Sequence, residues 1–137
     1  MSQACCVYGG SIYIVGGLDQ SGSRLSSLVA LDAATQTWRM LPSMAIPRSL
    51  HAALIYHGTI YVIGGATDEG GAVSSTETFN IDEGVWDMFT PLPVVRAEMA
   101  VVAYPCPCIA GGSDLDGLNF PQVYRIEPGT PSCKKKK

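Results

Sequence analysis

The chain has 137 residues and a mass of 14.5 kDa, enough for one domain with a modest core. Hydrophobic residues make up 47% and charged residues 15%, with 15 glycines and 9 prolines; this is a turn-rich globular profile, unlike disordered or collagen-like chains. The formal net charge of −3 hides an asymmetry, because every lysine stands at 134–137 and the body sets five arginines against twelve acids. An acidic body speaks against non-specific nucleic-acid binding, which needs a basic face. No apolar run reaches the ~18 residues of a membrane-spanning helix, and MSQACCVYGG lacks the pattern of a signal peptide. A cytoplasmic or nuclear location, without a membrane partner, is therefore expected, where the five cysteines stay reduced.

In chain order, residues 3–8, 12–17, 27–32 and 37–41 read as four short strands. Residues 50–56 and 60–65 follow, joined by His57-Gly58 in a tight hairpin. TETFNI at 76–81 has β-branched character, Asp82-Glu83-Gly84 makes a turn, and VWDMF at 85–89 alternates large apolar with polar residues. The looser third unit has Pro105 and Pro107 around its hairpin turn, then QVYRI at 122–126, with no tryptophan and no evident fourth strand. No segment sustains a period of 3.6, so the fold class is all-β.

The units are repeats. IYIVGG at 12–17 returns as IYVIGG at 60–65, and Gly16-Gly17, Gly64-Gly65 and Gly111-Gly112 are spaced by 48 and then 47 residues. Trp38 and Trp86, Tyr8 and Tyr56, Met40 and Met88, and Arg48 and Arg96 keep the same offset. A period of 40–50 residues indicates a propeller or a solenoid. The first strands of each unit are apolar on both faces while the last alternates, as sheets stacked radially about an axis require.

The pattern resembles the Kelch repeat, with Gly-Gly after an apolar strand, an apolar or aromatic residue about fourteen positions on, and Trp seven later. Those positions are Gly64-Gly65, Phe79 and Trp86, and in the first unit Gly16-Gly17, Leu31 and Trp38. The resemblance implies an incomplete Kelch β-propeller over 1–133, with two full four-stranded blades and most of a third, at roughly 2–43, 49–92 and 96–133, and a lysine tail at 134–137. Exposed faces at both ends would make the chain a fragment, a short isoform, or half of a ring completed by self-association.

Kelch adaptors hold protein or peptide ligands on loops at one face. By position, this makes Arg48, Arg96, Ser27 and Ser75 the candidate partner-binding residues, with Phe120 at the equivalent place in the third unit. Guanidinium groups flanked by hydroxyls suit carboxylates or phosphates; the alternative is that the arginines pair with the body's own acids. Asp19, Asp68, Glu69, Asp114 and Asp116 follow the glycine pairs, either to meet a basic partner or as solvated loop residues.

Metal and catalytic signals are thin. SDLDG at 113–117 lacks the downstream acid of a calcium loop, Cys106-Pro107-Cys108 is too short for zinc, and Cys5-Cys6 face opposite ways on a strand. His51 and His57 have no triad-like companions nearby. No cofactor and no enzymatic activity are expected. The leading expectation is an interaction module, possible in origin as part of a ubiquitin-ligase adaptor; a Kelch-like enzyme or sugar-binding propeller, and a truncated product without independent function, are the alternatives. The CKKKK end reads as a truncation or cloning product, with lipid or import roles as alternatives.

Overall fold

The computed structural model describes residues 2–102, 107–119, 122–127 and 132–135. Twelve strands and no helix are found among them. The first sheet comprises β1 (Ala4–Tyr8), β2 (Ser11–Val15), β3 (Leu28–Asp32) and β4 (Thr37–Leu41). The second comprises β5 (Ala52–Tyr56), β6 (Thr59–Ile63), β7 (Thr76–Asn80) and β8 (Val85–Phe89). The third comprises β9 (Ala100–Val102), β10 (Cys108–Ala110), β11 (Val123–Glu127) and β12 (Ser132–Lys135). Each is an antiparallel sheet in simple sequential order.

Turn chemistry sets the register. Gly9-Gly10 closes the β1–β2 hairpin and His57-Gly58 closes β5–β6, all four residues having positive φ. Two successive positive-φ residues give the turn whose twist matches that of the strands it joins. At the β3–β4 turn the Asp32 carboxylate accepts the N–H groups of Ala34 and Thr35, and at β7–β8 the Asn80 side-chain oxygen accepts those of Asp82 and Glu83. Expected strands of the first two units lie within two residues of those observed at either end.

The third unit differs from its sequence reading. Ser132–Lys135 pairs with β11 as a fourth strand, placing Lys134 opposite Arg125 and Lys135 opposite Tyr124. Pro105 lies outside the described residues.

Neighbouring sheets pack face to face. The front rows of the second sheet, Ala53–Val62 and Ile55–Ile60–Phe79–Trp86, rest on Tyr13, Val15, Leu28 and Ala30 of the first. Its back row, with Leu54, Tyr61 and Ile63, meets Ile109 and Tyr124 of the third. Ile60, Val62 and Ile63 have no exposed surface at all. At roughly 1.5–3 kcal/mol for each such side chain, the second sheet owes its stability to being covered on both sides. Strands β1, β5 and β9 run next to one another, so they form the inner edge of the stack.

Candidate functional site

Antiparallel pairing puts the segments after β2, β6 and β10 at the same end of the sheets as the linkers 42–51 and 90–99. The expected site residues stand there, but their side chains point inward. Arg48 has 0% exposure. Its Nη1 donates to Gly64 O at 3.0 Å and Ser75 O at 2.9 Å, and its Nη2 to Ser75 Oγ at 3.2 Å and Glu77 Oε2 at 2.8 Å. Glu77 is equally buried, and its carboxylate also accepts the backbone N–H groups of Ala45 and Ile46. Burial draws the Arg48 pKa down while Glu77 draws it back up, and a guanidinium stays charged under such opposing pulls.

Arg96 repeats the geometry one unit later. It has 0% exposure, and its Nη1 donates to Gly111 O at 3.0 Å and Gln122 O at 3.2 Å. Its Nη2 donates to Gln122 Oε1 at 3.3 Å, and the guanidinium lies 4.6 Å from the centre of the Tyr124 ring. A cation over an aromatic face here replaces the ion pair of the preceding unit.

These placements correct the expectation that Arg48 and Arg96 meet a partner directly. Both guanidinium groups are taken up by the following sheet, Arg48 by Gly64, Ser75 and Glu77 and Arg96 by Gly111 and Gln122. Ser75 is part of the Arg48 receptor, and Ser27 O accepts the Gly16 N–H at 2.9 Å. Both serines are half-buried supports of the strand entry. Phe120 lies outside the described residues, and the backbone register makes Gln122 the counterpart of Ser75.

The arginines hold the end of the molecule in shape. Gly17 N donates to Arg48 O at 2.9 Å and Gly65 N to Arg96 O at 2.7 Å, so each linker lies directly on a glycine pair. A Cβ on Gly64 would stand 2.5 Å from Arg96 O and 2.7 Å from Met99 Cε, and the residue has φ of 61°. The glycines thus admit a linker carbonyl, accompanied by Met99 at Gly64 and by His51 at Gly16.

The loops held in this way carry the exposed groups. Asp19 Oδ1 accepts the N–H groups of Ser21 and Ser23, which holds its carboxyl below the usual range, the Ser21 hydroxyl contributing most. Asp114 Oδ1 likewise accepts from Asp116 and Leu118, so it organises its own loop. Arg24 reaches from the first loop to Asp68 in the second at 3.0 Å, and its Nε donates to Ser49 Oγ. A groove of about 310 Å³ runs between Ala45, Ile46 and Pro47 on one side and Thr67, Asp68, Glu69 and Val73 on the other. This groove is invisible in the sequence, since its walls come from segments some twenty residues apart.

The Kelch motif matches residues 2–45 and again 47–93. The chain belongs to the Kelch family. The two matches coincide with the first two sheets, which are therefore its blades one and two, and the third sheet repeats their topology beyond the matched residues. No curated protein matches the chain.

The remaining candidates fall apart in space. His51 is buried before β5, its Nε2 2.9 Å from Val15 O, while His57 is exposed in the turn after it. The intervening strand separates them by roughly 20 Å. Cys5 and Cys6 are free thiols, and burial, aided by Cys5, pushes the Cys6 pKa up to about 12. Cys106 lies outside the described residues, among which no cluster of His, Cys, Asp and Glu could hold a metal. No helix among them is long and apolar enough to cross a membrane.

Proposed function

We propose that this Kelch chain is a non-catalytic protein-binding module that takes a basic peptide segment on the loop end of its blades. The observation supporting this most is the inward turn of both linker arginines. With Arg48 and Arg96 buried, the exposed charge at that end belongs to Asp19, Asp68, Glu69, Glu98 and Asp116, with Arg24 as a partly buried cation. The groove beside Asp68 and Glu69 suits one lysine or arginine of a ligand. Its aliphatic stem would lie along Ile46, Pro47 and Val73, with its charged head at the carboxylates.

Binding partners captured by the whole chain provide the test. An Asp68→Asn/Glu69→Gln double variant should weaken capture about tenfold or more, and added salt should weaken the wild type likewise. Capture that is indifferent to both would remove this groove from the account. A finer proposal is that the captured protein is delivered for ubiquitylation, in the cytoplasm or nucleus, where the free thiols stay reduced. Its support is the kinship with Kelch adaptors, and its test is whether co-expression changes ubiquitylation of the captured protein.

A further inference from the structure

The loops that follow β2, β6 and β10 share a backbone design but not an arginine. Leu18 bridges Arg24, Ala66 bridges Ala72 and Ser113 bridges Asn119, all at one point of the repeat. A position filled by arginine, alanine and asparagine in turn owes nothing of its side chain to the fold. Arg24 therefore differs from Arg48 and Arg96, whose guanidinium groups are buried in the joints. Its side chain is 28% exposed and leaves its own blade, Nη1 donating to Asp68 Oδ1 at 3.0 Å and Nε to Ser49 Oγ at 3.1 Å. Asp68 also stands outside the repeat, with Gln20 and Leu115 at the matching positions. The pair thus joins two side chains that the repeat does not call for, and its acid lines the groove beside Ile46 and Pro47.

We propose that Arg24 is a built-in competitor at this groove, holding Asp68 against the basic residue of a ligand; this rests on the reading of the groove as a site for a basic peptide. The geometry suits competition better than support. An ion pair this exposed is largely screened and adds little to stability, and the Asp68 side chain is 66% exposed. The contact runs from one nitrogen to one oxygen, without the two parallel bonds that make an arginine–carboxylate link rigid. Asp68 Oδ2 and the Glu69 carboxylate have no partner among the described residues. A ligand cation can therefore enter on Glu69 and Oδ2 while the pair is still made, but it then stands close to a like charge. That repulsion is relieved when Arg24 swings away and Asp68 passes wholly to the ligand. Arg24 thus sets how strongly the groove holds a cation, and a change that removes its charge releases the site.

Titration of the isotopically labelled whole chain with N-acetyl-arginine amide, followed by NMR through the backbone amides of Asp68 and Glu69, tests this. Arg24→Gln should tighten binding about twofold to fivefold, the range of an exposed ion pair. Arg24→Lys should bind as the wild type does, and so should Arg39→Gln, which removes an equal charge from the outer strand β4. With Asp68→Asn already in place, Arg24→Gln should bring no gain, because the contested carboxylate is gone. Unchanged or weaker binding by Arg24→Gln would make Arg24 a brace between two loops and overturn the competition, with the groove still a site for a basic residue. Equal tightening by Arg39→Gln would overturn it too, by assigning the effect to net charge. Amides of Asp68 and Glu69 that do not shift in the wild type or in Arg24→Gln would overturn both the competition and the groove's reading.

Discussion

Arg48 and Arg96 show how far position can be read without direction. Their recurrence 48 residues apart marks them as part of the repeat, but a sequence does not say whether a loop arginine faces solvent or the next blade. The deciding partners, Gly64 O and Gly111 O, are backbone atoms that carry no residue signature. Removing the two side chains should differ in effect. Arg48→Ala leaves Glu77 buried without its cation and should cost about 3–5 kcal/mol. Arg96→Ala removes contacts to the neutral acceptors of Gly111 and Gln122 and to the Tyr124 ring, and should cost less, about 2–3 kcal/mol. Urea denaturation of both variants measures the difference. His51 adds a pH dependence. Its Nε2 proton goes to Val15 O, so a second proton would sit on buried Nδ1, which has no partner. Burial accordingly pulls its pKa to about 4, against ~6.5 for a free imidazole. The fold favours the neutral ring, so this stability is whole above about pH 6.5 and is lost as pH falls towards 4, by roughly 3 kcal/mol. Met99 occupies the matching place in the next unit, so melting curves of His51→Met should show a flatter pH response than wild type.

At the scale of elements, the strands of blades one and two were legible because local chemistry agrees with the fold. Apolar alternation, paired turn glycines, and Asp32 or Asn80 at the turn entrance all point the same way. β12 was not legible, since a lysine-rich segment has low strand propensity and β11 alone holds it. Another hidden regularity is the left-handed backbone of Ser2, Leu50 and Glu98, at one point of the three units with no residue type in common. The linker's path onto each innermost strand requires that bend, whatever side chain occurs there. The glycine pairs were legible as places of close approach, though not for what approaches. Gly64→Ala would strain a residue at positive φ and push the Arg96 carbonyl off the strand. It should cost about 3 kcal/mol or more, whereas Gly70→Ala, which meets nothing within 4 Å, should cost only its backbone strain of about 1 kcal/mol. Thermal melting of the two variants compares them.

For the whole molecule, stability is a property of joints more than of sheets. Blade two is covered on both sides, and its Leu54, Tyr61 and Ile63 depend on blade three. A chain cut after residue 93 should therefore bind a hydrophobic dye strongly and unfold with reduced cooperativity; unchanged dye binding would mean that blade three contributes little cover.

The joints also have a direction. Each guanidinium belongs to a linker but finds its acceptors later in the chain, those of Arg48 lying 16, 27 and 29 residues on, at Gly64, Ser75 and Glu77. On a ribosome adding about 5–20 residues per second, Arg48 leaves the tunnel one to several seconds before the last of them. Each blade therefore waits for its successor before it locks, and the nascent protein sets from its start towards its end like a zip drawn one tooth behind synthesis.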